Sequence, residues 1–254
     1  MRRRATSSLA PAVTRAVAVL GVLSESREPL GVSAIARQID LIPSSCLHIL
    51  RALAEDGLVR TDAAKRYSIG PRVLTLARQL LRRGGFSSIV QPSLELMARD
   101  FGVTAIGLRV FGLDALAVVA IAHPDRPWHL HVDLGDVFPA LTSATGRCVA
   151  AFGGFERAEL VQAFAAARWE RSPSQQEWFA QVDAAKRQGY AVDDGSFMKG
   201  VMVLSAPVLM ANASLEYVVT VAGIREQIEA IGIGSVTTSL LELAQSAATR
   251  LSET

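Results

Sequence analysis

Four side chains that can hydrogen-bond to nucleic acid lie close together after Pro43. They are Ser44, Ser45, His48 and Arg51. At about 100° per residue, a helix over this segment places all four on one arc and its apolar residues on the opposite arc. Hydroxyl, imidazole and guanidinium groups can contact base edges and phosphates. Any amphipathic surface helix shows a similar division, so the neighbouring elements must decide what this helix does.

The elements before and after this helix have the order of a helix-turn-helix. A short helix is predicted over Ser33–Ile39, with Ser33 as its N-cap. Asp40–Ile42 then forms a turn. Pro43 favours the first position of the next helix, and Gly57 supplies the left-handed residue that ends it. The set predicts a recognition helix that packs on its predecessor and presents its polar arc to DNA.

A basic hairpin follows the predicted recognition helix. The strands are predicted over Leu58–Thr61 and Arg66–Ile69, around a polar turn. Arg60, Lys65 and Arg66 would face the phosphate backbone as a wing. Together with Ser33, Pro43 and the four polar residues of the helix, these three complete the predicted DNA-binding set.

Charge is divided unevenly along the 254 residues. Residues 1–83 contain 14 Lys and Arg against 6 Asp and Glu, a net charge of +8, whereas residues 84–254 contain 12 against 18, a net charge of −6. Only the front segment therefore suits a polyanion. Arg2, Arg3 and Arg4 are either a flexible arm for an adjacent groove or a solvated terminus.

The predicted domains follow this division. Residues 1–70 form a winged helix-turn-helix, including a first helix over Val13–Leu23. Residues 71–85 form a linker helix that two glycines end. Residues 86–254 form an α+β domain. Its strands are predicted at Val103–Val110, Leu116–Ile121, Trp128–Leu134, Val201–Val208 and Leu215–Ala222. Its helices are predicted at Gly146–Phe152, Glu156–Ala167 and Ser174–Gln188, with a last one through Leu240 and Leu251.

Other function classes find little support. No apolar run is long enough to span a bilayer, and Arg15 interrupts the stretch that resembles a signal peptide, so we expect a cytoplasmic protein without a membrane partner. No phosphate loop or nucleophile elbow is present, and no cofactor is expected. His129, His131 and Asp133 alternate on one strand face, which could hold a metal, although a polar edge is commoner. We expect no enzyme.

The ordered motifs resemble those of the IclR family of bacterial regulators. In front, the resemblance lies in Arg15–Val17, Val32–Arg37, Leu41–Ser45, Leu50–Leu53 and Tyr67–Gly70. In the body, it lies in Gly135, Ala144–Arg147, Ala150–Phe152, Gly189–Asp194, Gly200–Val201 and Ala206–Val208. One departure stands out, because Gly195 and Ser196 replace the acidic residues that usually follow in the family. This difference puts the role of a carboxylate at that place in doubt.

The resemblance implies a winged helix-turn-helix, a linker helix and a C-terminal GAF-like α/β effector-binding domain. It implies homodimers, often paired into tetramers, on double-stranded operator DNA. It also places a small-molecule effector pocket between the loop at Thr142–Gly146 and the last strands. The matching positions are Leu130, Ala144, Thr145, Asp193, Val203, Thr220 and Ala222.

The residues at these positions are mostly small and apolar, which suits a compact organic acid, such as an aromatic one. The N-terminus of the helix after Thr142 could hold the anion, or Thr142 or Ser143 could cap it with no ligand. Asp193 would repel a carboxylate, so a hydroxyl or backbone N–H donor is expected for it.

Two other classes of function stay open. One is a GAF-like redox or metal-dependent enzyme with an accessory basic domain, in which Arg147 would lower the pKa of Cys148. The bland alternative for Cys46 and Cys148 is two buried, unreactive thiols. The second class is a DNA-architectural protein without a ligand.

Overall fold

A computed structural model describes residues 10–82, 85–126, 130, 132–167, 169 and 171–253. The chain divides into two compact units, an N-terminal unit of residues 1–83 and a C-terminal unit of residues 84–254. Arg2, Arg3 and Arg4 lie outside the described residues. Among the described helices, none is long and apolar enough to cross a membrane.

The N-terminal unit is a winged helix-turn-helix. Its elements are α1 (Pro11–Glu25), α2 (Val32–Gln38), α3 (Pro43–Glu55), β1 (Val59–Thr61), β2 (Tyr67–Ile69) and α4 (Arg72–Arg82). One apolar cluster holds the first three helices and the hairpin together. Its fully or nearly fully buried members include Val19, Leu23, Ile35, Cys46, Leu50, Leu53, Val59 and Tyr67.

The turn between α2 and α3 is short and is closed by a backbone hydrogen bond to the end of α2. Asp40 adopts a left-handed φ of 53°, and the Leu41 N–H donates to the Ala36 carbonyl at 2.9 Å. Pro43 starts α3, and Gly57 follows its end with a φ of 71°, as predicted. The expected N-cap at Ser33 is wrong, because α2 begins one residue earlier and Gly31 occupies the capping position.

The wing is a two-stranded antiparallel hairpin that pairs Val59 with Ile69. Lys65 takes a left-handed φ of 57° in its turn. An isolated bridge joins Leu30 to Tyr67 and attaches the hairpin to the segment before α2. The wing is therefore tied to the helix-turn-helix by backbone bonds as well as by its apolar side chains.

The C-terminal unit is built on one six-stranded antiparallel sheet. Its strands are β3 (Thr104–Phe111), β4 (Ala115–Ala122), β5 (Val137–Pro139), β6 (Ala191–Asp194), β7 (Val201–Leu209) and β8 (Leu215–Ile224), in the order β5-β4-β3-β8-β7-β6. Its helices are α5 (Phe86–Phe101), α6 (Ser143–Phe152), α7 (Arg157–Ala166), α8 (Gln175–Gln188), α9 (Arg225–Ile231) and α10 (Ile233–Ser252).

Helices cover this sheet in two groups with separate cores. Helices α5 and α10 pack on the sheet through a large cluster centred on Leu94, Leu204 and Leu240. Helix α6 packs on β6, β7 and β8, and also contacts α8. Helices α7 and α8 contribute Phe164 and Trp178 to a second cluster. The fold class is the predicted α+β arrangement with a C-terminal α/β domain.

The predicted strand over Trp128–Leu134 is wrong in its described part. Leu130 and residues 132–134 are not in a strand, and the pairing with β4 is made instead by Val137–Pro139. Trp128, His129 and His131 lie outside the described residues. Sequence analysis also assigned no element to α5, β6 or α9. The apolar pattern of α5 is interrupted by Pro92 inside the helix, and the other two elements are short.

Close approach of the backbone at Gly146 gives a test of how α6 is packed. A methyl group at this helical position would overlap the carbonyl group of Leu141, whereas at Gly234 in α10 it would meet no atom within 4 Å. We expect Gly146→Ala to lower the free energy of unfolding by about 3 kcal/mol, since backbone atoms cannot yield as side chains do. Gly234→Ala should be neutral or stabilising by at most about 1 kcal/mol.

Urea denaturation followed by circular dichroism measures both variants. Equal midpoints for Gly146→Ala and Gly234→Ala would contradict the close packing of α6 on the loop before it.

Candidate functional site

Helix α3 presents one polar face to solvent. Ser44, His48 and Arg51 are exposed and Ser45 is half-buried. On the opposite side, Cys46, Leu50 and Leu53 are buried. The burial of this apolar side fixes the orientation of the helix, and the polar face follows from it. The exposed Pro43 lies at the N-terminal end of α3, and the exposed Ser33 is on the neighbouring helix α2.

The three basic residues of the wing differ in their local partners. Lys65 is exposed at the turn. Arg60 donates through Nε to the Ser68 hydroxyl at 2.9 Å. Arg66 forms an ion pair with Asp62 at 2.9 Å, and hydrogen bonds from Arg66 lower the pKa of Asp62. Surface pairs of this kind contribute little to stability, so Arg66 can exchange its partner for another anion.

A cavity of about 70 Å³ lies inside the C-terminal unit, against the sheet and the start of α6. Five of the seven predicted effector residues line it, namely Leu130, Thr145, Val203, Thr220 and Ala222. Its other walls are mostly apolar, with hydroxyls from Thr142 and Ser143. The remaining lining residues are Ile106, Leu108, Leu116, Val132, Phe138, Pro139, Phe197 and Val201.

Three hydroxyl groups form a closed ring at one wall of this cavity. Thr145 Oγ1 lies 3.1 Å from Ser205 Oγ and 3.2 Å from Thr220 Oγ1, and the last two are 2.9 Å apart. Each hydroxyl can donate one hydrogen bond and accept others. The ring therefore satisfies itself without a ligand, and Thr145 and Thr220 can redirect a hydrogen bond to a polar atom in the cavity.

The first turn of α6 opens beside the hydroxyl ring. Its N-cap residue Thr142 makes no side-chain capping bond to the helix and donates its hydroxyl to the Pro139 carbonyl at 3.2 Å. Ser143 adopts a left-handed φ of 64°. The first N–H groups of a helix have no partner within the helix and carry the positive end of its dipole. Both predicted capping residues therefore leave this end of α6 uncapped.

The other two predicted effector residues, Ala144 and Asp193, are not among the residues that line the cavity. Asp193 is fully buried and forms an ion pair with Arg147, whose NH1 lies 2.7 Å from Asp193 Oδ2. Asp193 Oδ1 accepts the backbone N–H groups of Ser196 and Phe197 at 2.9 and 3.1 Å. Both oxygens of the carboxylate are therefore engaged by the protein itself.

The pairing of Arg147 with Asp193 was not predicted from the sequence. Arg147 is 1% exposed, and its Nε donates to Gln181 Oε1 at 2.7 Å. Burial lowers the pKa of Arg147, and the charge of Asp193 acts in the opposite direction. The signal for such a pair was an arginine within the apolar pattern of α6, since a buried charge is rarely unpaired and a partner must be sought.

The cysteines and the possible metal ligands of the alternative enzymatic hypothesis do not form a reactive site among the described residues. Cys148 is fully buried, and its thiol donates to the Ser205 carbonyl at 3.2 Å. Burial raises the pKa of Cys148 and outweighs the lowering effect of the nearby Arg147 charge, so the thiol is not activated. Burial also raises the pKa of Cys46. No cluster of metal-binding side chains occurs among the described residues, and His129 and His131 are outside them.

Two family models match the chain over most of its length. The model of the IclR helix-turn-helix domain matches residues 12–63. The model of the bacterial transcriptional regulator IclR C-terminal domain matches residues 79–252.

Two curated relatives are both glycerol operon regulatory proteins. The one from Streptomyces coelicolor is 27% identical over 198 residues, which cover 76% of this chain and 77% of that protein. The one from Streptomyces griseus is 27% identical over 196 residues, with the same coverage.

Solved structures of similar fold include two regulators that align over nearly their whole length. The IclR of Thermotoga maritima has a TM-score of 0.75 at 19% identity, and the alignment covers 94% of this chain and 98% of that one. An IclR homolog from Microbacterium hydrocarbonoxydans, solved with 4-hydroxybenzoate, has a TM-score of 0.77 at 15% identity, covering 96% and 100%. At such low identities the likeness concerns the fold alone.

Removal of one partner of the buried ion pair should be costly. Arg147→Met keeps a long side chain but leaves the Asp193 carboxylate without a counter-charge, and we expect the free energy of unfolding to fall by about 3–5 kcal/mol. The matched control is Arg99→Met, which removes an exposed arginine that pairs with Asp100 and should change stability little. Equal chemical denaturation midpoints for the two variants would refute a structural role for the buried pair.

Proposed function

Because the chain belongs to the IclR family of bacterial transcriptional regulators, we propose that α3 enters the major groove of operator DNA. Ser44, Ser45, His48 and Arg51 are the proposed contacts to bases and neighbouring phosphates. The exposed polar face of α3, fixed by its buried apolar side, carries this proposal. Ser33 on α2 and Pro43 at the N-terminal end of α3 are proposed to contact phosphates.

The wing completes the proposed DNA interface. Arg60, Lys65 and Arg66 extend from the hairpin that packs beside α3, and phosphate contacts of this kind position a protein on the duplex. The exposed pair of Arg66 with Asp62 can open when a phosphate oxygen offers a competing partner. The net charge of +8 over residues 1–83 supports an electrostatic contribution to affinity.

The cavity of the C-terminal unit is the proposed effector site. Thr145 and Thr220 offer hydroxyls, the first turn of α6 offers backbone N–H groups to an anion, and the remaining walls are apolar. A small organic acid with an apolar body fits this chemistry, and the homolog solved with 4-hydroxybenzoate supports an aromatic one. Leu130, Val203 and Ala222 would contact that body.

Asp193 has a different proposed role from the other matched positions. Its two oxygens are used by Arg147 and by backbone N–H groups, so it supports the site without touching the effector. Ala144 is fully buried beside the cavity wall and is proposed to contribute packing only.

Self-association is proposed through the exposed apolar residues of the N-terminal unit. Leu74 and Leu76 on α4 are 69% and 63% exposed, and Val13 and Val17 on α1 are both 62% exposed. A second copy would cover them and give a homodimer, two of which could form a tetramer. A DNA partner supports our proposal that the protein acts in the bacterial cytoplasm. Because the thiol of Cys148 is buried, we propose that the protein acts by binding DNA and an effector and not as a redox enzyme.

The DNA interface is tested by single substitutions on α3. His48→Ala and Arg51→Ala should each weaken binding to an operator selected from the protein's own genome, with Arg51→Ala costing about 1–3 kcal/mol if the arginine contacts a base. The control is Arg187→Ala, which removes an exposed arginine of α8. Fluorescence anisotropy at fixed ionic strength measures all three affinities. Equal losses from Arg51→Ala and Arg187→Ala would reject α3 as the reader of sequence.

The effector site is tested at Thr145. We expect Thr145→Trp to fill the cavity and abolish release of operator DNA by aromatic acids, with 4-hydroxybenzoate as the first probe, while operator affinity stays unchanged. Thr145→Val keeps the size of the side chain, removes one hydroxyl of the ring and should weaken the response. Thr249→Trp, at an exposed position of α10, is the control. A normal response in Thr145→Trp would place the effector elsewhere.

A further inference from the structure

We propose that Phe197 sets the size of ligand that the cavity admits, as a movable wall of the proposed effector site. The proposal rests on that site. The cavity of about 70 Å³ is roughly half the size of the ~150 Å³ apolar cavity known to hold benzene. A ring-shaped ligand therefore needs a wall that moves.

Phe197 differs from the other aromatic residue that lines the cavity. Phe138 belongs to β5 and packs against the cluster that contains Trp178. Phe197 is half-buried in a turn, and it is absent from the hydrophobic clusters formed by the described residues. Its ring therefore lines the cavity without being locked into a core, and it can move outward without disrupting one of these clusters.

The segment that carries Phe197 is held from inside by Asp193. One oxygen of Asp193 accepts the N–H groups of Ser196 and Phe197, while the other is bound to Arg147 of α6. The backbone at Phe197 is thus anchored to the same helix whose first turn lines the cavity. Since the backbone is fixed, the side chain of Phe197 is the part free to adjust.

Arg225 holds the same segment from outside. Its guanidinium forms an ion pair with Asp194, and the backbone N–H of Arg225 donates to the Gly200 carbonyl at 3.0 Å. Gly195 has a φ of 78°, and a methyl group there would lie 3.1 Å from Arg225 NH2. Glycine at this position therefore leaves room for the arginine. Arg225 thus holds both ends of the segment from Asp194 to Gly200.

The test measures benzene and toluene binding to the full-length protein, by thermal shift and by ligand-observed NMR. Phe197→Ala should bind both at least about tenfold more tightly than the native protein, since the missing ring enlarges the cavity. Phe197→Leu should give an intermediate gain and serves if the alanine variant does not fold. Phe197→Trp should give no gain. Met198→Ala changes the exposed neighbour in the same turn and should match the native protein.

Equal benzene binding by Phe197→Ala, Phe197→Leu and the native protein would overturn the proposal, as would an equal gain in Met198→Ala. The outcome is separable from the effector hypothesis, which operator release by 4-hydroxybenzoate and related acids decides. If no acid releases the operator but Phe197→Ala gains benzene binding, the movable wall stands and the effector class is wrong. If acids release the operator and no Phe197 variant gains binding, the effector class stands and the wall is wrong.

Discussion

The ion pair between Arg147 and Asp193 lies in the interior of the C-terminal unit, where both side chains are almost fully shielded from water. Each charge loses hydration free energy on burial, and only the attraction between the two charges offsets that loss. A single buried charge would therefore destabilise the fold. The pair therefore fixes the position of α6 relative to β6. Because the first turn of α6 faces the cavity, the position of that turn also depends on this ion pair.

The second oxygen of Asp193 extends the constraint to the turn after β6. By accepting two consecutive backbone N–H groups, it determines where the cavity wall at Phe197 begins. The hydroxyl ring of Thr145, Ser205 and Thr220 connects α6 with β7 and β8 on the other side. The cavity thus has a polar frame on these two sides, while its apolar faces are left to contact a ligand.

The elements of the N-terminal unit are almost completely predictable from the sequence, and those of the C-terminal unit less so. Local signals were strong in the former, because Pro43 and Gly57 delimit α3 and its apolar spacing fixes the exposed face. In the latter, Pro92 disrupted the pattern of α5, and β6 was too short to show a period. Residues that alternate in polarity over Trp128–Leu134 predicted a strand there, but such alternation also occurs outside strands. Strand β4 pairs with Val137–Pro139 instead.

The amino-acid sequence by itself determined the domain order, the family, the polar face of α3 and five of the residues that line the cavity. The domain order and the polar face depend on spacing along the chain, which is visible without coordinates, whereas the five cavity residues were implied by the family resemblance. Only the tertiary structure decided the partner of Asp193, because Arg147 lies 46 positions away and no local pattern links them. It also decided that Phe197 lines the cavity. Burial and pairing across elements are properties of the folded chain, and they are the reason that we propose Asp193 as a support for the site and not as an effector contact.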